Sequence, residues 1–404
     1  MIAETNKLED LIKNHGSPDA LIDNHKLGNK GYAIWGFDQK IEYSTKGLYI
    51  DSKISNKEPF DSLQSLINQW VESQQKISAI GFLSYDIKNI IYPHIKFKSI
   101  TNNFPYMWFA KPKKIKSYTI NSNPDKIDTV KFFSVKKDIL SSEKYKEKIL
   151  LIKKELKKGN SYQINFTMPK LFDVDTTPLK MYLAIRKSVK PDFGYYLNIG
   201  KHHILSFSPE EFFHTQGNRI QTYPMKGTKS RGNSLQEDEL LKAELKNSRK
   251  DKAEHVMIVD LLRNDIGKIC KYGTVKVKDL FRVNSYPTIH QMVSCVYGIL
   301  KDKITHTDIL KALHPGGSVT GAPKESSMQI IDQLEDYNRG IYTGAIGFIN
   351  DVGDMYFNIA IRTLSISNKI AKYGVGGGIV WKSNYQDEWN EAQLKSEILK
   401  DYIN

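Results

Sequence analysis

Apolar residues recur along the chain with two different periods, and the alternation between them lays out the elements. Leu63, Leu66, Ile67 and Trp70 share one stripe at helical spacing and predict a helix over 60–76. Ile149, Ile152 and Leu156 do the same over 142–158, with Gly159 placed as the C-terminal stop. Short apolar runs at 31–37 and 79–86 read as strands. So do 162–166, 195–199 and 203–207, the last two joined by a Gly200-Lys201 turn into a hairpin. Further helices are expected over 250–265 and over 324–334, the latter entered through Pro323. The end of the chain is strand-rich, with 342–349, 355–365 and 370–381 preceding a last helix that begins near Asn384. Helices set among hairpin-linked strands predict an antiparallel α+β fold and argue against a doubly wound parallel sheet.

The stretch 111–138 is polar, rich in lysine and asparagine, and broken by Pro112 and Pro124. It divides the chain into an N-terminal region (1–115), a connecting segment (116–140) and a principal domain (141–404). With 404 residues, 40% of them hydrophobic, the chain can bury a large core. No apolar run approaches the roughly 18 residues of a membrane span. Glu4, Glu9 and Asp10 lie where a secretory signal would have its apolar core. Only Cys270 and Cys295 occur, outside any CxxC or Cys/His cluster, which fits a reducing cytoplasm and two small buried hydrophobes. A net charge of +14 could mark a nucleic-acid surface or attract an anionic substrate. The lysines are interleaved with glutamates along the whole chain, so a solvated surface is expected, and nucleic acid is not.

Several patterns could carry chemistry. In 223–232, Pro224 biases Tyr223 toward extended backbone and Gly227 permits close approach, with Lys226 between them. That is either a basic surface turn or a lysine presented into a cleft as a nucleophile. A lysine ordinarily titrates near about 10.4, so a nucleophilic one needs desolvation or a nearby cation; Lys229 and Arg231 could serve if they point inward. Asp251 and Glu254, like Glu388 and Glu391, stand three apart on predicted helices and so project from one face, with Lys395 four residues past Glu391. Each pair is an exposed acidic face or part of a Mg²⁺ site. The run Gly376-Gly377-Gly378 offers backbone amides to an anion but lacks P-loop spacing. Arg362 interrupts an apolar strand and pairs with an internal carboxylate or with a ligand's. The turn 314–324 leads into a helix N-terminus and is a structural corner or an anion site.

Taken in order, these segments resemble the chorismate-utilising enzymes. The resemblance runs over about 140–404, through Ser208-Pro209-Glu210, 224–228, 254–265, 314–324, 342–347, Ile361-Arg362-Thr363 and Gly376-Gly377-Gly378 to Glu388, Glu391 and Lys395. It implies two stacked antiparallel sheets flanked by helices, with the active site in the cleft between them; the strand at 79–86 places the N-terminal region in the same fold. It further implies that chorismate is held by Arg362, Tyr342, the 376–378 amides and Lys395, with Gly227 and Thr228 lining the pocket. Mg²⁺ would be held by Glu254 and Glu391, with Asp251 and Glu388 acting directly or through water. Glu210 would be the general acid. Lysine at position 226 resembles the members that aminate chorismate through a covalent lysine; those making anthranilate, isochorismate or salicylate usually lack it. Gln163 stands where water-using members hold a lysine, so ammonia is the implied nucleophile. No Cys-His-Glu amidotransferase pattern occurs in the chain, so a separate glutaminase subunit is the implied ammonia source. Two departures stand out. Many members have histidine where this chain has Gln291, next to His290, and the serine-containing tryptophan-binding motif is missing.

Overall fold

The computed structural model describes residues 7–25, 28–98, 104–120, 130–138, 140–286 and 289–404. The paired strands are antiparallel, and one long strand, Lys30–Ser44, is shared by two limbs of sheet. One limb leaves it through Ala20–Asn24 and runs by way of Phe193–Asn198, His203–Ser208, Thr363–Ser367 and Ile370–Val380 to Gln163–Val174. The other leaves through Met107–Thr119 and passes Ile77–Leu83, Ala345–Asn350, Met355–Ile359, Glu211–Gln216 and Arg219–Thr222. It ends at Ile289–Ile299, which also pairs with Met225–Ser230 and Lys276–Ser285.

Period-two alternation explains why the limbs stack. Ala20, Ile22, Tyr195, Leu197 and Ile204 of the first limb pack with Ile80, Phe82, Trp108, Ile346 and Phe348 of the second. Their sequence neighbours turn the other way. Leu21, Tyr196 and Leu205 join a core beneath the helices Ser142–Lys157, Pro178–Val189 and Lys324–Leu334. Ala79, Leu83, Phe109 and Ala345 join a core beneath Pro59–Glu72, Arg249–Ile269 and His306–Leu313. Burial of each large side chain, such as Trp70 on its predicted stripe, stabilises the fold by roughly 1.5–3 kcal/mol. The antiparallel α+β class is the one that the sequence pattern predicts, and the stacking of two limbs with helices outside is what the resemblance implies.

Some boundaries differ from expectation. Residues 111–119, read as polar and from 116 onward as connecting, complete the strand Met107–Thr119, because the side chains alternate on a sheet edge that water can reach. Phe133–Asp138 is also a strand, so only part of 116–140 is left between elements; 121–129 lie outside the described residues. The predicted strand 355–365 is two strands, Met355–Ile359 and Thr363–Ser367, broken where Arg362 takes φ 50°. The helix Leu235–Asn247 escapes prediction because it buries only Leu245 and Asp238, too few positions to give an apolar period. Cys270 and Cys295 are free and buried, as small hydrophobes.

Candidate functional site

Lys226 lies in Met225–Ser230, where the pairing with Ile289–Ile299 slips between Met225 and Thr228. The slip is a bulge: Gly227 takes φ 79°, and its backbone comes so close to the long helix Arg249–Ile269 that an added Cβ would lie 3.1 Å from Asp251. The bulge re-aims one side chain. Lys226 Nζ reaches Glu254 Oε2 at 3.6 Å, with the lysine 30% and the glutamate 19% exposed. The long helix is started by Ser248, whose hydroxyl accepts from Asp251 N at 3.2 Å; this fixes the turn from which Asp251 and Glu254 project.

The second acidic pair comes from the helix Tyr385–Leu394, capped by Asn384 accepting from Gln386 N. Glu388 accepts from Ser383 Oγ at 2.6 Å, and Glu391 from Lys395 Nζ at 2.6 Å. Lys395 also donates to Gly376 O at 2.8 Å, tying this helix to the glycine run. The two carboxyls differ in proton affinity. Burial raises that of Glu388, and Glu391 raises it further, against Ser383, Lys226 and Lys395. Burial acts on Glu391 too, but Lys395 and then Lys226 and Lys250 outweigh it, so that its pKa falls below the usual value.

The three glycines do different things. A Cβ on Gly376 would lie 2.2 Å from Phe166 O, so glycine is needed there for the neighbouring strand to approach. A Cβ on Gly377 would meet Glu388 Oε2 and Lys395 Nζ at 3.5 Å and Glu391 Oε1 at 3.7 Å, so this residue faces the acidic cluster. Gly378 faces Gln163, whose Nε2 would lie 2.9 Å from an added Cβ. Gln163 is buried and its Oε1 has no hydrogen-bond partner. Tyr342 is buried with its ring against Gly374, where a Cβ would come within 2.1 Å.

Glu210 is joined to this group from the opposite limb. Its carboxyl is pushed above the usual range by burial, against Ser318, Lys226 and Lys395. Ser318 Oγ donates to Glu210 Oε1 at 2.7 Å. Neither Ser318 nor Ser383 is singled out by the sequence pattern, since a serine in a turn is ordinary; the signal available was only their place beside the glycine-rich turn and the acidic helix.

Other expectations fare differently. Lys229 pairs with Glu244 at 3.2 Å, and Arg231 makes two 2.7 Å bonds to Asp238, so both cations turn away from Lys226. Thr228 lies at the exposed end of the bulge, opposite Gln291. His290 is buried, 2.9 Å from both Asp238 Oδ1 and Ser285 Oγ, in a network that holds the end of the lysine strand. Arg362 is exposed and has no carboxylate partner among the described residues, which removes the internal salt bridge as its explanation.

Among the described residues, no three acidic, histidine or cysteine side chains lie together as a ready-made metal cage. Mg²⁺ is commonly bound through one or two carboxylates completed by water and substrate oxygens, and Glu254 and Glu391 are hard oxygen donors of that kind. The arrangement around Lys226 combines an amine among carboxylates, a protonatable carboxyl and a glycine-lined wall. Such a set can bind an acidic substrate and exchange a hydroxyl for a nucleophile.

Known proteins are similar to this chain in fold and in sequence. Residues 18–401 match the model of the chorismate binding enzyme family. Anthranilate synthase component 1 of Saccharolobus solfataricus is 35% identical over 339 residues, 80% of each chain. Aminodeoxychorismate synthase component 1 of Escherichia coli is 38% identical over 262 residues, 65% of this chain and 58% of that one. The chloroplastic aminodeoxychorismate synthase of Arabidopsis thaliana is 40% identical over 260 residues, 63% of this chain but 28% of the plant protein. The crystal structure of anthranilate synthase component I from Streptococcus pneumoniae superimposes with a TM-score of 0.80 at 26% identity, covering 91% of both chains. Among the described residues no helix is long and apolar enough to cross a membrane. The chain belongs to the chorismate-binding enzymes.

Proposed function

We propose that this enzyme is aminodeoxychorismate synthase component I, converting chorismate and ammonia to 4-amino-4-deoxychorismate on the way to 4-aminobenzoate and folate. The observation that carries the reading is Lys226, aimed from a strand bulge at the carboxylate of Glu254. Arg362, Tyr342, Lys395 and the 376–378 backbone would hold the carboxylates of chorismate. Glu254 and Glu391 would hold Mg²⁺, with Asp251 and Glu388 beside them; when bound, the ion would neutralise a substrate carboxylate and would be the nearby cation that a nucleophilic Lys226 needs. Glu210 gives its proton to the departing ring hydroxyl, which leaves as water while the Lys226 amine forms a C–N bond to the ring. Ammonia then forms the product's C–N bond as the bond to Lys226 breaks, returning the lysine. Gln163 suits ammonia, since its unpartnered Oε1 can accept an N–H. Ammonia would come from a glutaminase partner, and the work would be done in the cytoplasm.

Anthranilate synthesis is the second reading. It is favoured by the 80% mutual coverage with the archaeal anthranilate synthase component 1. Incubation with chorismate, ammonium and Mg²⁺, followed by product identification, separates the two. Aminodeoxychorismate supports the proposal; anthranilate formed without an added lyase refutes it.

A further inference from the structure

Glu210 makes one side-chain hydrogen bond among the described residues, the 2.7 Å bond from Ser318 Oγ to Oε1. Both ends of that bond are rigidly mounted. Ser318 occupies the short turn Gly317–Val319, whose Val319 O accepts from Arg339 Nη1 at 2.8 Å and from Asn165 Nδ2 at 3.1 Å. Arg339 is itself gripped by Glu335, at 2.9 Å from Nε and 2.8 Å from Nη2. The turn rests on the long helix so closely that a Cβ at Gly317 would lie 2.4 Å from Leu261 Cδ2. On the other side, Glu210 N donates to Ser208 Oγ at 3.2 Å, and Glu210 O accepts from Ile359 N at 3.1 Å.

We infer that Ser318 is a positioning residue that fixes which oxygen of Glu210 carries the acid's proton. A hydroxyl donating to Oε1 leaves Oε2 to bear the proton and deliver it to the leaving hydroxyl. After transfer, the same bond is charge-assisted and stabilises the carboxylate. The inference rests on the reading of Glu210 as the general acid. The groups that act on Glu210 besides Ser318 are Lys226 and Lys395, and the phenol of Tyr342 senses its charge. Ser318 does not touch the reacting atoms; it acts through Glu210.

The test compares Ser318→Ala, Ser318→Thr and Glu210→Gln with the parent, using chorismate and ammonium over about pH 6 to 10. Ser318→Ala should lose about tenfold to a hundredfold in kcat, with KM for chorismate nearly unchanged. Its alkaline limb should move to higher pH, because the carboxylate has lost a donor, and Ser318→Thr should restore both. A loss of kcat with the limb unmoved indicates a merely structural role and overturns the inference, as does a kcat close to the parent's. If Glu210→Gln is inactive while Ser318→Ala is unaffected, only the role of Ser318 fails. If Glu210→Gln is fully active, the general-acid reading fails and the inference with it. A carbon-13 titration of the Glu210 carboxyl in the free protein, assigned from its absence in Glu210→Gln, reads the same bond without turnover. The titration should move to higher pH in Ser318→Ala, and an unchanged titration overturns the inference.

Discussion

Single side chains separate the chemistry here from ordinary surface charge. Glu210 is the clearest, because its elevated proton affinity comes first from burial, with Ser318, Lys226 and Lys395 opposing it. A carboxyl held above the usual range stays protonated to higher pH. Activity should therefore fall on the alkaline side as Glu210 loses its proton, and Glu210→Gln should lower kcat by about 10² to 10⁴ while chorismate still binds. Steady-state pH profiles check both statements. The glycines make a paired prediction. Gly376→Ala places a methyl group against the carbonyl of Phe166 and should destabilise the protein by about 1–3 kcal/mol. Gly377→Ala meets only ordinary contacts, so stability should change by about 0.5 kcal/mol or less. Its methyl would face Glu388, Glu391 and Lys395, so kcat/KM for chorismate should fall. Denaturant melts and kinetics on the two variants distinguish a glycine required by the sheet from one required by the cleft.

At the scale of elements, each predicted acidic pair does lie on a helix, and the caps Ser248 and Asn384 set where those helices start. The spacing of three was legible in the sequence because it is a property of one helix. What faces the pairs was not, because Lys226 reaches Glu254 through a bulge that no local pattern announces. Lys229 and Arg231 show the same limit, since their partners lie on Leu235–Asn247, a helix with too little apolar periodicity to be foreseen. Arg362 illustrates the reverse. Its place within an apolar run was visible, but the break that turns it outward required the fold. The helices also carry a pH dependence. His255, buried on the long helix and 2.6 Å from Ser294 Oγ, is pushed down to about 4 by burial. His314, buried and donating to Ser84 O, is pushed down to about 3 by burial above all. Both folded values lie below the unfolded value near about 6.5, so their stabilisation is present above that pH and is lost as pH falls through the folded values. The melting temperature should drop on the order of 5 °C between pH 7.5 and 4.5, and less in the His255→Gln variant. Calorimetry across that range tests the sign.

For the whole molecule, the alternation of apolar residues was enough to foresee antiparallel α+β. The order of the limbs was not, because it depends on the shared strand Lys30–Ser44 pairing on both edges. That strand comes from the N-terminal region, so residues on either side of the polar stretch enter one hydrogen-bonded network. The +14 net charge, which could have suggested nucleic acid, accompanies a chorismate-binding family match over 18–401. The chain alone should use free ammonium with chorismate and should gain use of glutamine only when a glutaminase is added. Product formation from glutamine by the purified chain would contradict the separate ammonia source. Mass spectrometry of the intact protein with chorismate and Mg²⁺, and without ammonia, shows whether Lys226 bonds to the substrate ring. The expected result is an added mass equal to chorismate less water, localised to Lys226 by peptide mapping and absent from Lys226→Ala. No adduct at Lys226, together with substantial aminodeoxychorismate synthesis by Lys226→Ala given ammonium, would rule out the covalent role of this lysine.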